Sequence, residues 1–101
     1  MENFALAGHD TLLACSESFD TEEKVEIFKT AAGRYRVIHT VYTEDFYSGE
    51  LGYFDFEDVC DNGSQVHSFL LETFPCFFGD LPWYLTSALD EAEARDPRFQ
   101  Y

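Results

Sequence analysis

Between Arg36 and Arg95 the chain has no lysine and no arginine, and all 101 residues together carry 6 basic side chains against 20 acids. A net charge of −14 disfavours direct binding to nucleic acid or to an anionic membrane, because like charges repel. Cysteine is scarce. Cys15, Cys60 and Cys76 are odd in number and lack C-x-x-C spacing, which argues against a disulfide framework or a thiolate zinc site. No apolar run is long enough to cross a bilayer, and no N-terminal stretch pairs basic residues with an apolar segment. A cytoplasmic protein with reduced thiols is the expectation. The motifs G-x-S-x-G, the P-loop and G-x-G-x-x-G are all missing, so the sequence commits the protein to no reaction.

What is present is apolar and aromatic. With 46% hydrophobic and 18% aromatic residues, the chain departs from disordered acidic segments, which lack the means to build a core. Its length suits one domain, residues 1–101. A domain of this size spans roughly 30–35 Å, and the same length of duplex DNA carries on the order of 20 phosphate charges. The acidic excess is of that order, so mimicry of DNA is open to this chain if its acids gather on one face. Twelve carboxylates fall between Val37 and Ala94, and twelve aromatics are interleaved with them from Tyr42 to Tyr84.

Residues 1–20 leave two readings open: a short helix over Leu12–Glu17 capped by Asp10, or a short strand. Glu23–Lys29 alternates Val25 and Ile27 with polar residues, Ala31-Ala32-Gly33 reads as a turn, and Arg34–Thr43 is rich in Tyr, Val, Ile and Thr. These predict an antiparallel hairpin. Glu50–Phe56 reads as a third strand, giving a meander over 23–56. From 58 to 95 the pattern turns helical. Val59, Val66, Phe69, Leu70 and Thr73 form a stripe, with a main helix expected at about Ser64–Thr73, capped by Ser64 and stopped before Pro75. A last helix runs to about Arg95, with Asp80 as N-cap, Pro82 in its first turn, and Leu81, Leu85, Ala88 and Ala92 inward. The expected fold is α+β: a small antiparallel meander of about three strands with two C-terminal helices packed on one face.

No catalytic residue stands out. His9, His39 and His67 show no metal-ligand spacing, and the run Asp55, Glu57, Asp58 and Asp61 lacks the EF-hand order of oxygen ligands, so neither a metal site nor a cofactor is expected. Cys60 and His67 would share a face if both were helical, but acidic surroundings disfavour the thiolate. A non-enzymatic protein is the expectation. Phe46, Tyr47, Phe77, Phe78 and Trp83 lie in loops or on a polar face. Either loops fold back and bury them, or they are anchors ringed by carboxylates and meant for a basic partner. The candidate partner-binding residues are Glu44, Asp45, Asp55, Glu57, Asp58, Asp61, Asp80, Trp83, Asp90, Glu91 and Glu93, centred on Trp83 with Asp80 and Asp90.

Small size, strong acidity and the absence of motifs resemble a functional class, the small acidic anti-CRISPR and anti-restriction inhibitors that phages encode. The strand-meander-then-helices order, with Gly79-Asp80-Leu81-Pro82 opening the last helix, resembles one type I anti-CRISPR architecture over about Val25–Arg95. That resemblance implies a stoichiometric inhibitor in the host cytoplasm. It would occupy the basic nucleic-acid-binding surface of a CRISPR effector or nuclease and touch neither nucleic acid nor membrane itself. The alternatives are an immunity protein or antitoxin neutralising a basic nuclease toxin, and a metal-dependent hydrolase using the Asp55–Asp61 cluster.

Overall fold

The structure, a computed structural model, describes residues 10–19, 22–44, 47–73 and 81–101. Four strands, β1 (Thr11–Ser18), β2 (Glu23–Lys29), β3 (Tyr35–Glu44) and β4 (Leu51–Cys60), pair antiparallel in chain order into one sheet. Helices α1 (Gly63–Thr73) and α2 (Trp83–Arg95) follow. The α+β class and the two C-terminal helices match the sequence reading, but the described sheet has a fourth strand.

That fourth strand, β1, lies where a helix and a strand were both open. A bulge at Leu13 shifts the register between Leu12↔Phe28 and Ala14↔Ile27, so the consecutive residues Leu13 and Ala14 are both buried. The extra residue breaks the two-residue alternation by which a strand is recognised. β4 also outruns its expected end and reaches Cys60 in register with Tyr35. Val59, expected on a helical stripe, is therefore a strand residue opposite Arg36.

One face of the sheet carries Ala14, Val25, Ile27, Tyr35, Val37 and Cys60, and these join Val66, Leu70, Leu85, Ala88, Leu89 and Ala92 of the helices in a single core. Fully burying each large aliphatic side chain contributes about 1.5–3 kcal/mol. α2 lies over β1 and β2, and α1 over β3 and β4. The molecule is accordingly flat, 38 × 36 × 21 Å. Among the described residues no helix covers the opposite face, and none is long and apolar enough to cross a membrane.

Local chemistry sets the helix ends. Asn62, rather than Ser64, caps α1: its Oδ1 accepts from Gln65 N at 2.9 Å, and Gln65 Oε1 accepts in turn from Asp61 N at 2.7 Å. Pro82 sits just outside α2 as its N-cap, and its carbonyl accepts from Leu85 N and Thr86 N. The expected cap, Asp80, lies outside the described residues. After α2 the tail folds back, and Phe99 is fully buried with its ring edge-on to Tyr35 at 5.0 Å.

Candidate partner-binding surface

The strand directions define two ends. β1 and β2 join through Phe19 and Glu22 at the end where β3 leaves for β4. Tyr84, the second residue of α2, is tied there by its hydroxyl, which donates to Glu23 Oε1 at 2.8 Å. At the other end are the Thr30–Arg34 turn, the start of α1 and the tail packed on Tyr35. These are the Phe19 end and the Phe99 end.

Cations are unevenly divided between them. Lys29, Arg34, Arg95 and Arg98 lie at the Phe99 end, Arg36 one step further in, and only Lys24 near the Phe19 end. Four of the five at or near the Phe99 end, Lys29, Arg34, Arg36 and Arg95, are in ion pairs. Arg34 Nε meets Asp61 at 2.8 Å, Lys29 Nζ meets Asp96 at 2.7 Å, and Arg95 meets Glu91 at 2.9 Å. Arg36 bridges Asp10 at 3.0 Å and Glu57 at 2.6 Å. These two carboxylates hold its guanidinium above the ordinary value, with the Glu57 bond the larger cause.

With so few cations, tyrosine hydroxyls serve as donors to carboxylates. Tyr53 donates to Glu22 at 2.8 Å, Tyr35 to Asp96 at 2.9 Å, Tyr84 to Glu23, and Tyr101 to Asp90. Each phenol is harder to ionise for it. Burial and then the Asp96 bond push Tyr35 up to about 12; the Asp90 bond and then burial take Tyr101 to about 12. Tyr53 is raised chiefly by Glu22, and Tyr84 by burial and then Glu23.

The Phe19 end combines carboxylates with exposed aromatics. Phe19 is 86% exposed, Tyr47 94% and Trp83 75%, and Leu51, Tyr53 and Tyr42 are exposed beside them. Tyr42 and Tyr53 meet across β3 and β4 on the helix-free face with centroids 4.9 Å apart and rings tilted by 60°. A cavity of about 560 Å³ opens here, lined by Glu17, Phe19, Glu22, Glu23, Lys24 and Tyr53 among others. Glu22 holds its place at φ 57°, in the left-handed region that costs a residue with a Cβ roughly 1–2 kcal/mol.

Among the described residues, those singled out in the sequence lie on several parts of the surface. Asp55 and Glu57 lie on the helix-free face of β4, where Asp55 accepts from Thr40 Oγ1 at 2.7 Å. Asp58 is opposite Val37 on the helix side and accepts from Val59 N, while Asp61 is at the Phe99 end. Asp90 and Glu93 share the outer side of α2 with Trp83, and Glu91 flanks it. Glu44 ends β3 at the Phe19 end; Asp45 and Asp80 lie outside the described residues, as do Phe46, Phe77 and Phe78. Among the described residues these acids are not gathered into one continuous DNA-like array. Trp83 is on the surface; Glu17, Phe19, Glu22 and Tyr53, which line the cavity, are not among the residues singled out in the sequence. The signal for Glu17, Phe19 and Glu22 is the run from Ser16 to Glu23, polar but for Phe19, which ends one strand and begins the next; Tyr53 has no such local signal.

At the two described cysteines, thiol chemistry has little support from the geometry. Cys60 is a buried strand residue raised mainly by burial, and exposed Cys15 on the helix-free face is raised by desolvation and by Glu26 and Glu17. Among the described residues, no three His, Cys, Asp or Glu side chains converge as metal ligands. Fold and surface together define a flat α+β domain with an acidic, aromatic end. No protein-family model, curated protein or solved structure matches this chain.

Proposed function

We propose that the protein is a non-enzymatic acidic inhibitor that docks its Phe19 end onto the basic nucleic-acid-binding surface of a partner protein and blocks access of nucleic acid. The partner class is that of a CRISPR effector or another nuclease, and the setting is anti-defence in a host cell. The observation carrying this reading is the separation of charge. Five of the six cations lie towards the Phe99 end, four of them paired with carboxylates there, while Glu17, Glu22 and Glu23 share the other end with Phe19, Tyr53 and Trp83. An approaching cationic surface is steered towards the less compensated end. Exposed aromatics then supply anchors that release ordered water on contact, while carboxylates meet lysine and arginine at the rim. The docking is end-on, not a mimicry of duplex DNA along the whole molecule.

The test is competition. Wild type, the double charge reversal Glu17→Lys with Glu22→Lys, and the reversal Glu91→Lys with Glu93→Lys are used to capture partners from host lysate. Each captured protein is then assayed for nucleic-acid binding with and without the inhibitor. Loss of about tenfold or more in affinity is expected for the first pair, with a shallower salt dependence, and little change for the second. Equal affinity and salt dependence in all three proteins, or a partner whose nucleic-acid binding is untouched, would rule the proposal out.

A further inference from the structure

Beneath the Phe19 end, four side chains form an unbroken hydrogen-bonded line. Glu23 begins β2, Tyr84 lies in the first turn of α2, His39 is in the middle of β3 and Thr73 ends α1. Tyr84 Oη lies 2.8 Å from Glu23 Oε1 and 3.0 Å from His39 Nε2, and His39 Nδ1 lies 2.9 Å from Thr73 Oγ1. Thr73 Oγ1 is also 3.1 Å from the Phe69 carbonyl. His39 is fully buried.

Four bonds need four hydrogens. The tyrosine and threonine hydroxyls bring one each, a neutral imidazole brings one, and a carboxylate brings none. The line is one hydrogen short. The carboxylate has first claim on the Tyr84 hydrogen, because a bond to an ionised acceptor is the stronger one. Tyr84 must then accept from His39, which places the imidazole hydrogen on Nε2. Nδ1 is left as an acceptor for Thr73, whose hydroxyl has to turn away from Phe69. That costs little, since the Phe69 carbonyl keeps its regular helical partner, the Thr73 amide.

We propose that His39 is a buried proton switch. When neutral it carries its hydrogen on Nε2 and accepts from Thr73; when Nδ1 gains a proton, Thr73 turns to Phe69 and all four bonds are made. The groups around it come from every neighbouring element: Glu23 and Val25 of β2, Phe56 of β4, Thr73 of α1 and Tyr84 of α2. Glu23 is the charged one among them. Burial holds the imidazole below the ordinary histidine value, and the Glu23 charge draws it partly back. The switch therefore works below the ordinary histidine range. The sign follows from that lowered value: the stability His39 contributes is complete above the ordinary histidine range and is lost as pH falls through the folded-state value.

Nitrogen-15 spectra of the imidazole in the folded protein test this. The expected result is the Nε2–H tautomer at neutral pH and a reversible titration without unfolding, with a midpoint below that of an exposed histidine. Thr73→Val removes the acceptor for the new proton, and Glu23→Gln removes the compensating charge. Each is expected to lower the midpoint by about one pH unit, the scale of a hydrogen bond to a charged group. An Nδ1–H tautomer at neutral pH, unfolding ahead of any titration, or a midpoint unmoved in either variant would overturn the proposal.

Discussion

Carboxylates outnumber cations more than threefold here, and the fold resolves this residue by residue with phenolic hydroxyls. Asp96 illustrates the arrangement at its tightest. It is buried and accepts from Lys29 Nζ at 2.7 Å, Tyr35 Oη at 2.9 Å and Arg98 N at 3.1 Å. The Lys29 bond, more than the others, holds its carboxyl below the ordinary value against the opposing effect of burial. A depressed folded-state value means stability that is present above the ordinary carboxylate range and is lost as pH falls through the lower one. Asp96→Asn is expected to cost about 2 kcal/mol at neutral pH, the scale of hydrogen bonds to a charged group. In urea denaturation the gap between variant and wild type should narrow in strong acid. A gap that stays constant with pH would mean that the carboxylate charge contributes nothing.

At the scale of elements, the start of α1 couples a cap to a close approach. A Cβ built on Gly63 would lie 2.5 Å from the Gln100 carbonyl oxygen, which belongs to the backbone and cannot swing aside. Gly63→Ala gains about 1 kcal/mol in helix propensity but forces the tail off the sheet. A net loss of about 1–3 kcal/mol is expected in thermal or urea unfolding. Asn62→Ala, which removes the cap, should cost about 1 kcal/mol by the same measurement. A stabilised Gly63→Ala protein would show that the tail is not held against α1. The sequence displayed Gly63 only as an interruption of a helical stripe. Its partner Gln100 is 37 positions away, and no local pattern points to it.

Across the whole molecule, a net charge of −14 in a disc 21 Å thick sets carboxylates against one another over distances near the screening length. Added monovalent salt is expected to raise the unfolding midpoint steadily through the moderate range, measured by thermal or urea melts, because it screens repulsion more than it weakens the few ion pairs. A midpoint that falls with salt would show that pairs such as Arg36 with Asp10 and Glu57 outweigh the repulsion. The same screening should weaken partner capture, so stability and binding should respond to salt in opposite directions.

The β2–β3 hairpin, both helices and the α+β class were legible in the chain because each rests on local periodicity and on turn or breaker residues such as Gly33 and Pro75. The scarcity of cations was legible too, since charge is a matter of counting. Which carboxylates stand together was decided only in three dimensions. Antiparallel pairing carries Arg34 to Asp61 and Arg36 to Asp10 and Glu57, and it leaves Glu17, Glu22 and Glu23 at the far end with Phe19 and Tyr53. Strand register and bulges set that grouping through contacts between residues distant in the chain, which no window of neighbouring residues contains.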